Sequence, residues 1–346
     1  MIRMKIAFDG RILKHKVFTG VENYAAEVLT GLKQRFSLQL LQTQSQRSIL
    51  QHLWLHTKLP LLAQGSDLLF SPVGVLPLFF TKNLKLIVTI HDVAFLTQKE
   101  SVSKFFKIYY AFITPRSIKK ADHIITVSEA AKQEIIRIYP FVKHKITVIY
   151  NGVNVKYRVL ENVQKKKQIL YVGSINERKN IQGVLDAFEK LPNELNYKLI
   201  IVGNFSKLFK VSKKLQASIY RAKKNKNIIF KTNLTNQELL FEYNHSYALL
   251  FPSFYEGFGL PILEAMACGT PVITSNLSSM SEICQDAVLY VNPYSSDDIA
   301  KKIELLLQDT TLHEQFTKKG LEHVKNFNWK KSVEKHIEVF EKVMKS

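Results

Sequence analysis

The sequence predicts an α/β protein with two doubly wound parallel sheets, one in each half of the chain. Three observations support this prediction. Short β-branched segments alternate with helical segments along the 346 residues. The alternation restarts after a polar, charged stretch near residue 160. Several strands also run directly into Gly, Asn or Ser at their carboxyl ends. Such alternation is typical of βαβ units with parallel strands.

The first half begins with a buried-type strand at 5–8. A helix follows at 20–36, because apolar residues recur there at helical spacing. Ser128 is a good N-cap for a helix at 129–139. The other elements predicted in this half are strands at 84–92, 122–128 and 145–153 and an aromatic-rich helix at 101–121.

The second half begins with a strand at 169–174 that ends in Gly-Ser. Thr235 and Glu238 have the spacing of a capping box, which places the start of a helix at 235–246. The other predicted elements are helices at 180–191, 296–309 and 329–344 and strands at 197–204, 227–230, 247–253, 271–275 and 287–291.

These elements predict a domain organisation. We expect an N-terminal Rossmann-like domain at 1–154, a linker at 155–168 and a C-terminal Rossmann-like domain at 169–328. The last helix, 329–346, is expected to cross back to the N-terminal domain. Ligands of such sheets bind beyond the carboxyl ends of the strands, so we expect the active site in the cleft between the domains.

The positive charge is concentrated in the first half. The formal net charge is +20, and residues 1–170 carry +16 of it, from 26 Lys plus Arg against 10 Asp plus Glu. A basic surface favours nucleic acid, an anionic membrane or an anionic substrate, and a generally Lys-rich composition is the alternative. No known DNA- or RNA-binding signature is present, so we expect no nucleic-acid partner. Because of the basic charge, a nucleic-acid-binding protein is kept as the alternative function.

Cysteine content and hydropathy predict the compartment. Cys268 and Cys284 are too few for a disulfide framework and suggest buried thiols in a reducing compartment. The N-terminus has no signal-peptide apolar region, and no 18-residue apolar run is present. We therefore expect a cytoplasmic protein. A peripheral position on the inner face of the membrane is the alternative.

The segment FYEGFGLPILEA, residues 254–265, is the most informative motif. Gly257 and Gly259 allow a tight turn after a buried strand, and Pro261 suits the first turn of a helix. We expect the amide groups near Phe258, Gly259 and Leu260 to face a phosphate at this helix N-terminus. Glu264, expected in the first helical turn, would accept bonds from a ribose diol, and Glu256 would lie on the sugar side. An ordinary strand–turn–helix with both acids in helix-dipole roles is the alternative.

The full run EGFGLPILEAMACGTPVI (256–273) resembles the E-x7-E signature of retaining GT-B glycosyltransferases of family four. Two departures from the family's pattern are Ser174, where many members have Arg, and Ser281, where Pro is frequent. The resemblance extends over most of the chain, through TGVENY (19–24), IHDVAFL (90–96), TVSEAAKQEI (126–135), VIYNGVN (148–154), YVGSINERKN (171–180) and SSMSEICQDAVLYVNP (278–293).

The resemblance implies a GT-B fold and a role for each matching residue. In the C-terminal, nucleotide-sugar-binding domain, Arg178 and Lys179 would neutralise the diphosphate. The N-terminal domain would bind the acceptor. Gly20 and the backbone of Phe258, Gly259 and Leu260 would contact the diphosphate. Glu264 would bind the ribose, and Glu256 would contact the donor sugar. His91 would face the donor sugar and the acceptor at the reaction centre.

The resemblance also implies transfer with retention of anomeric configuration. A covalent route would use Glu256 as the nucleophile, whereas in a same-face route the leaving phosphate takes the acceptor's proton. We favour the same-face route. No Asp-x-Asp motif occurs in the sequence, so we expect no metal and no cofactor, with fixed cations stabilising the leaving group instead.

The substrates are less well defined by the sequence. The VGS-x-x-x-RKN segment looks mannosyltransferase-like, which suggests GDP-mannose as donor. Residues 103–120 combine aromatic side chains with lysines, as in a helix on an anionic bilayer or in an amphipathic core helix. We therefore expect a glycan acceptor in surface polysaccharide synthesis. We expect this acceptor to be linked to a lipid carrier such as a polyprenyl diphosphate. A GT-B-fold sugar-nucleotide epimerase is the alternative enzyme.

Overall fold

The structure is a computed structural model that describes residues 4–14, 20–45, 47–80, 83–97, 104–205 and 211–345. The chain divides into two compact units. The first takes most of the chain before Gly152 together with Asn328–Ser346, and the second contains Val153–Phe327. Each unit has a six-stranded sheet in which all the pairs are parallel. The predicted pair of doubly wound parallel sheets is therefore confirmed.

The sheet of the first unit has the strand order β2-β1-β3-β4-β5-β6. Its strands are β1 (Lys5–Asp9), β2 (Ser37–Leu41), β3 (Leu68–Ser71), β4 (Lys85–Ile90), β5 (His123–Thr126) and β6 (Ile146–Val148). Its helices are α1 (Gly20–Leu32), α2 (Ser48–Leu62), α3 (Ala94–Thr97), α4 (Lys104–Lys120) and α5 (Glu129–Ile138), with 3-10 turns at Arg11–Lys14 and Pro140–Val142.

Both faces of this sheet are covered, as the continuous apolar character of its strands requires. Ile6 and Phe8 pack on one face with α1 and with Phe340 of the C-terminal helix. Ala7 and Leu69 lie on the other face, in a core shared with α2. The strand alternation thus divides β1 between two cores and leaves its carboxyl end, at Asp9, at the edge where ligands of parallel sheets bind.

The sheet of the second unit has the order β12-β11-β10-β7-β8-β9. Its strands are β7 (Gln168–Val172), β8 (Lys198–Val202), β9 (Ile228–Lys231), β10 (Ala248–Phe251), β11 (Val272–Ser275) and β12 (Leu289–Val291). Its helices are α6 (Ile181–Glu189), α7 (Lys213–Ala222), α8 (Asn236–His245), α9 (Leu260–Ala267), α10 (Ser279–Cys284), α11 (Ser296–Gln308) and α12 (Thr310–His323); α13 (Trp329–Lys345) follows in the first unit. Single 3-10 turns lie at Glu177–Lys179, Asn193–Leu195 and Val324–Asn326.

A close backbone approach at the ends of β7 and β8 explains one glycine. A Cβ atom on Gly203 would lie 1.8 Å from the carbonyl oxygen of Gly173. Only glycine fits at that position without moving one strand end away from the other. The Val-Gly pairs that follow both strands are therefore part of the architecture beneath the candidate site.

Local signals in the sequence predicted several helix ends correctly. The Ser128 hydroxyl accepts a bond from the Ala131 amide, and Thr235 forms a complete capping box with Glu238. Gly269 has φ +64° just after α9, the left-handed conformation in which glycine commonly ends a helix. The strands β2 and β3 and the helices α2, α3, α10 and α12 were not predicted.

The two cysteines are buried free thiols. Burial raises the pKa of Cys268 to about 12 and raises the pKa of Cys284 still further. Both thiols therefore remain protonated near neutral pH.

Candidate active site

The central part of the second unit's sheet brings two loops together. β7 and β10 are parallel neighbours, so the loops that follow them leave the same edge of the sheet. The loop after β7 leads to Arg178 and Lys179, and the loop after β10 leads to Glu256. A backbone bond from the Phe254 amide to the Arg178 carbonyl, at 3.0 Å, joins the two loops directly.

Asparagine side chains fix the turn that carries the two cations. Asn176 accepts a bond from the Lys179 amide at 3.1 Å, and its own amide group donates to the Ser174 hydroxyl at 2.8 Å. Asn180 follows with φ +52° and caps α6. Its side chain donates to the carbonyl oxygens of Pro252 and Pro293, at 3.0 and 2.7 Å. The turn is therefore tied to the end of β10.

Glu256 lies between the two cations. Its Oε1 is 2.6 Å from Lys179 Nζ, and its Oε2 is 3.5 Å from Arg178 Nη1. The residue is only 6% exposed. Burial opposes ionisation of this carboxyl, but the charges of Lys179 and Arg178 outweigh burial and lower its pKa. The carboxylate is therefore ionised, and the three side chains together carry one net positive charge.

Further contacts restrict the same cations. Arg178 Nη1 donates to the carbonyl oxygen of Tyr255 at 2.7 Å. Lys179 Nζ lies 4.9 Å from the ring centroid of Phe251, the last residue of β10. Both cations are thus fixed in position by the loop that contains Glu256.

The loop before α9 is held by serine hydroxyls from the start of α10. Ser278 and Ser279 donate to the Glu256 carbonyl at 2.7 and 3.0 Å, and Ser279 also contacts the Phe258 carbonyl at 3.1 Å. Gly259 has φ +101°, which favours glycine, and occupies the N-cap position of α9. Pro261 lies in the first turn, as predicted. The amide groups of Gly259 and Leu260 belong to a helix N-terminus, the place where backbone donors favour an anion.

Glu264 has a different environment. It lies in the second turn of α9 rather than the first, because the helix begins at Leu260. Tyr243 donates its hydroxyl to Glu264 Oε2 at 2.8 Å, and Tyr157 also hydrogen-bonds this carboxyl. Burial raises the pKa of Glu264 even though these bonds oppose the shift. The carboxyl is buried together with the edge-to-face ring pair of Tyr157 and Tyr243, whose centroids are 5.7 Å apart.

His91 belongs to the first unit and follows β4. Its Nε2 donates to the carbonyl oxygen of Pro72 at 2.9 Å, so Nδ1 carries the lone pair of the neutral ring. Burial lowers the pKa of His91, although the bond to Pro72 and the charges of Asp92 and Glu22 oppose this shift. The ring is therefore a neutral hydrogen-bonding group near pH 7.

The start of α1 lies beside His91 within the same unit. Gly20 is the first residue of α1 and is exposed, while Thr19, the first residue of the TGVENY segment (19–24), lies outside the described residues. The ring of Tyr24 meets His91 edge to face at 4.7 Å. Its hydroxyl lies 2.7 Å from both Thr89 Oγ1 and His336 Nε2, and His336 Nδ1 donates to the Ser332 carbonyl. Tyr24 and His336 therefore support the His91 ring.

The structure thus brings Arg178, Lys179 and Glu256 together beside the start of α9, and it places Glu264 farther along that helix. Sequence reasoning missed Tyr157 and Tyr243, which hold Glu264. The only signal for Tyr157 was an aromatic residue inside a polar stretch, and Tyr243 resembled an ordinary core residue of α8.

The basic, aromatic segment at 103–120 is only partly described. It forms α4, but the side chains of residues 104–107 lie outside the described residues, as does Ser103. Ile108 and Phe112 are exposed on α4. Within the described part of the chain, no helix combines the length and apolar character that a membrane span requires. Residues 206–210 also lie outside the described residues, and α7 (Lys213–Ala222) follows them.

Comparison with known proteins connects this arrangement to a family. Residues 155–323 match the model of glycosyl transferases group 1, and residues 18–157 match that of Glycosyltransferase Family 4. O-antigen chain mannosyltransferase B of Escherichia coli is 33% identical over 73% of this chain and 69% of its own length. O-antigen chain mannosyltransferase RfbU of Salmonella typhimurium is 34% identical over 60% of this chain and 56% of its own length.

The fold comparison agrees with the sequence comparison. Sucrose-phosphate synthase from Thermosynechococcus elongatus superposes with a TM-score of 0.77 over 99% of both chains, at 18% identity. At that identity the likeness concerns the fold, which is GT-B. Together with the family matches and the cation-lined strand ends, it identifies the chain as a mannosyltransferase-like member of the family 4 glycosyltransferases with the GT-B fold.

Proposed function

We propose that this glycosyltransferase moves mannose from GDP-mannose to a lipid-linked glycan acceptor, with retention of configuration and without a metal ion, in surface polysaccharide synthesis. The observation that carries the proposal is the pair of cations, Arg178 and Lys179, held on Glu256 beside the N-terminus of α9. Fixed positive charge at this place suits a departing nucleoside diphosphate.

The two cations supply the electrostatic part of the mechanism. Breaking the sugar–phosphate bond leaves negative charge on the diphosphate and positive charge on the sugar carbon. Lys179, Arg178 and the amide groups at the start of α9 stabilise the first of these charges. Because Asn176 and Asn180 hold the cation-bearing turn, little reorganisation is needed during the reaction.

Glu264 is the proposed anchor for the ribose. Its carboxylate accepts hydrogen bonds from the two ribose hydroxyl groups. Tyr243 and Tyr157 orient this carboxylate through their own bonds to it. Nucleotide binding is therefore expected to require the ionised form of Glu264.

We favour the same-face route, in which the leaving phosphate oxygen takes the proton of the attacking acceptor hydroxyl. The ion pairs of Glu256 support this choice, because a carboxylate engaged by two cations is a weak nucleophile. Glu256 then fixes the cations and meets a sugar hydroxyl. Neutral His91 is the proposed contact for the sugar and acceptor hydroxyls in the first unit.

The sugar and the pathway rest on the relatives. Two of them carry names that describe mannosyltransferases of an O-antigen chain. Those names support the proposal of mannose as the donor sugar and of a polysaccharide as the product. A cytoplasmic enzyme at the inner face of the membrane fits such a role.

The test begins with a thermal-shift panel of nucleotide sugars, in which we expect GDP-mannose to give the largest shift. Transfer is then measured on polyprenyl-diphosphate-linked glycans, with and without EDTA, and the anomeric configuration of the product is determined by NMR. An inverted product or loss of activity in EDTA would contradict the proposed mechanism. Isomerised donor without transfer would instead favour an epimerase.

Glu256→Gln separates the two retaining routes. In the same-face route the variant transfers mannose slowly with retention, because the amide still contacts the sugar. If Glu256 is the nucleophile, transfer ceases, and added azide restores turnover with formation of the inverted glycosyl azide.

A further inference from the structure

A second group of polar side chains lies in the first unit, at the carboxyl end of β1. Arg11 begins the 3-10 turn that follows this strand and is only 3% exposed. Its Nη2 is 3.1 Å from Asp9 Oδ2, which also accepts a bond from the Ser71 hydroxyl at 3.1 Å. Arg11 Nη1 is buried and has no hydrogen-bond partner among the residues that the structure describes. A buried guanidinium donor without a partner is costly, so it points to a missing acceptor.

Two histidines lie on α2, the helix that packs in the same core as β1. His52 and His56 lie one helical turn apart, and within the described part of the chain the buried Nδ1 atom of each has no hydrogen-bond partner. His56 Nε2 lies 2.9 Å from the Tyr109 hydroxyl of α4. When Tyr109 donates this bond, the proton of the neutral His56 ring resides on Nδ1 and is available to a ligand.

The charge of Arg11 acts on both histidines and on Tyr109. Burial, followed by the charge of Arg11, lowers the pKa of His52 to about 4, and the same two causes lower the pKa of His56. Burial raises the pKa of Tyr109 to about 12, and the same charge opposes that rise. An anion bound here would offset the charge of Arg11 and accept the unused donors.

The surrounding sequence contains almost no negative charge. Neither α2 nor α4 contains an Asp or a Glu. Asp9 is the acid paired with Arg11, and it is already engaged by Ser71 and by the Arg11 amide. Apolar side chains are exposed on the same two helices, including Leu53 of α2 and Ile108 of α4. An anion attached to an apolar chain fits this combination of buried donors and exposed apolar surface.

We propose that Arg11, His52 and His56 form a binding site for a phosphate or diphosphate group, which in the proposed function is the phosphate of the acceptor. The ligand group is a tetrahedral oxyanion, since several of its oxygen atoms can each accept one of the unused donors of a guanidinium and two imidazoles. It comes either from a lipid diphosphate or from a free phosphate compound, and the experiment distinguishes these sources.

The experiment is an isothermal titration of the full chain with inorganic pyrophosphate and, separately, with farnesyl diphosphate. The donor site is first blocked with a saturating amount of the nucleoside diphosphate that corresponds to the nucleotide sugar with the largest thermal shift. If no nucleotide sugar gives a shift, the titration is run without a blocking nucleotide. We expect both probes to bind. Tighter binding of farnesyl diphosphate supports a lipid source, and equal binding supports a free phosphate compound.

Two variants remove the proposed site. Asp9→Asn/Arg11→Met removes both charges of the buried pair, so that no single buried charge remains. His52→Phe/His56→Phe replaces the imidazole donors with rings of similar shape and serves if the first variant fails to fold. Each is expected to weaken pyrophosphate binding about tenfold or more. Lys58→Ala, an exposed change on α2, is the matched control and should leave binding unchanged.

The outcomes separate this proposal from the proposed function. Unchanged pyrophosphate affinity in a folded site variant would overturn the phosphate site, as would binding of farnesyl diphosphate without binding of pyrophosphate. Loss of binding in the site variants supports the site even if no sugar transfer is detected. Transfer by a protein that binds neither probe would leave the proposed function standing and the phosphate site refuted.

Discussion

The two glutamates of the E-x7-E segment have opposite surroundings. Glu256 lies between Lys179 and Arg178, whose charges lower its pKa in spite of burial. Glu264 lies beside Tyr243 and Tyr157, and burial raises its pKa. The same residue type is thus held as a firmly charged ion at one position and as a readily protonated acid at the other. The neighbours, rather than the spacing in the motif, determine what each carboxyl can do.

The largest expected effect tests the charged side of this comparison. Lys179→Ala should lower kcat by about 10²–10³-fold, because it removes a fixed cation from the leaving diphosphate. Steady-state transfer assays measure this effect. Lys190→Ala removes another ion-paired lysine, partly exposed and bound to Asp297, and should leave kcat unchanged.

The same variant also leaves Glu256 with one cation fewer, so stability is measured in parallel. Lys179→Ala/Glu256→Gln should recover thermal stability lost in the single variant without recovering turnover. Wild-type kcat in a folded Lys179→Ala protein would remove this lysine from the mechanism.

Glu264→Gln should weaken nucleotide binding about tenfold or more, because an amide is a poorer acceptor for ribose hydroxyls than a carboxylate. Calorimetric titration with the preferred nucleoside diphosphate measures the change. The corresponding deoxynucleotide, which lacks one hydroxyl, should lose less affinity in the variant than the ribonucleotide does. An unchanged affinity would refute the ribose role.

The pH dependence of nucleotide affinity should also distinguish the two acids. The pKa of Glu264 is raised, so this group is the first of the two to be protonated as the pH falls. Affinity should therefore decrease with falling pH while Glu256 is still ionised. The decrease should be absent in Glu264→Gln; if it persists there, another group is responsible.

The smallest expected effect concerns the tyrosine that holds Glu264. Tyr243→Phe removes a buried hydroxyl donor and should lower the free energy of unfolding by about 1–2 kcal/mol. It should also raise the pKa of Glu264 further, since the lost bond favours the ionised form. Urea unfolding measures the first effect, with the exposed Tyr220→Phe as control. Equal stability of the two variants would contradict the role of this bond.

Local patterns accounted for much of the fold and part of the site. The Gly259–Pro261 helix start and the Thr235–Glu238 capping box depend on neighbouring residues, which a single sequence displays. The α2 helix was not predicted, since it contains Pro60 and its apolar residues include exposed leucines that blur the helical pattern. The bonds of Tyr157 and Tyr243 to Glu264 depend on residues that are distant in the chain.

The position of Glu264 shows the same limit at a finer scale. Its turn in α9 was misplaced because the helix begins at Leu260, and the start of a helix next to glycine and proline depends on the backbone angles adopted there. The ion pairs of Glu256 likewise follow from the parallel pairing of β7 with β10, which the order of strands along the chain does not reveal.

The protonated state of the two buried cysteines has a practical consequence. Maleimide and related reagents attack thiolates, and neither Cys268 nor Cys284 supplies one near neutral pH. A single cysteine introduced at an exposed position, such as Lys58 or Tyr220, would therefore be the preferred point of attachment for a fluorophore or spin label. Spectroscopic probes can be installed in the native background without first replacing either natural cysteine.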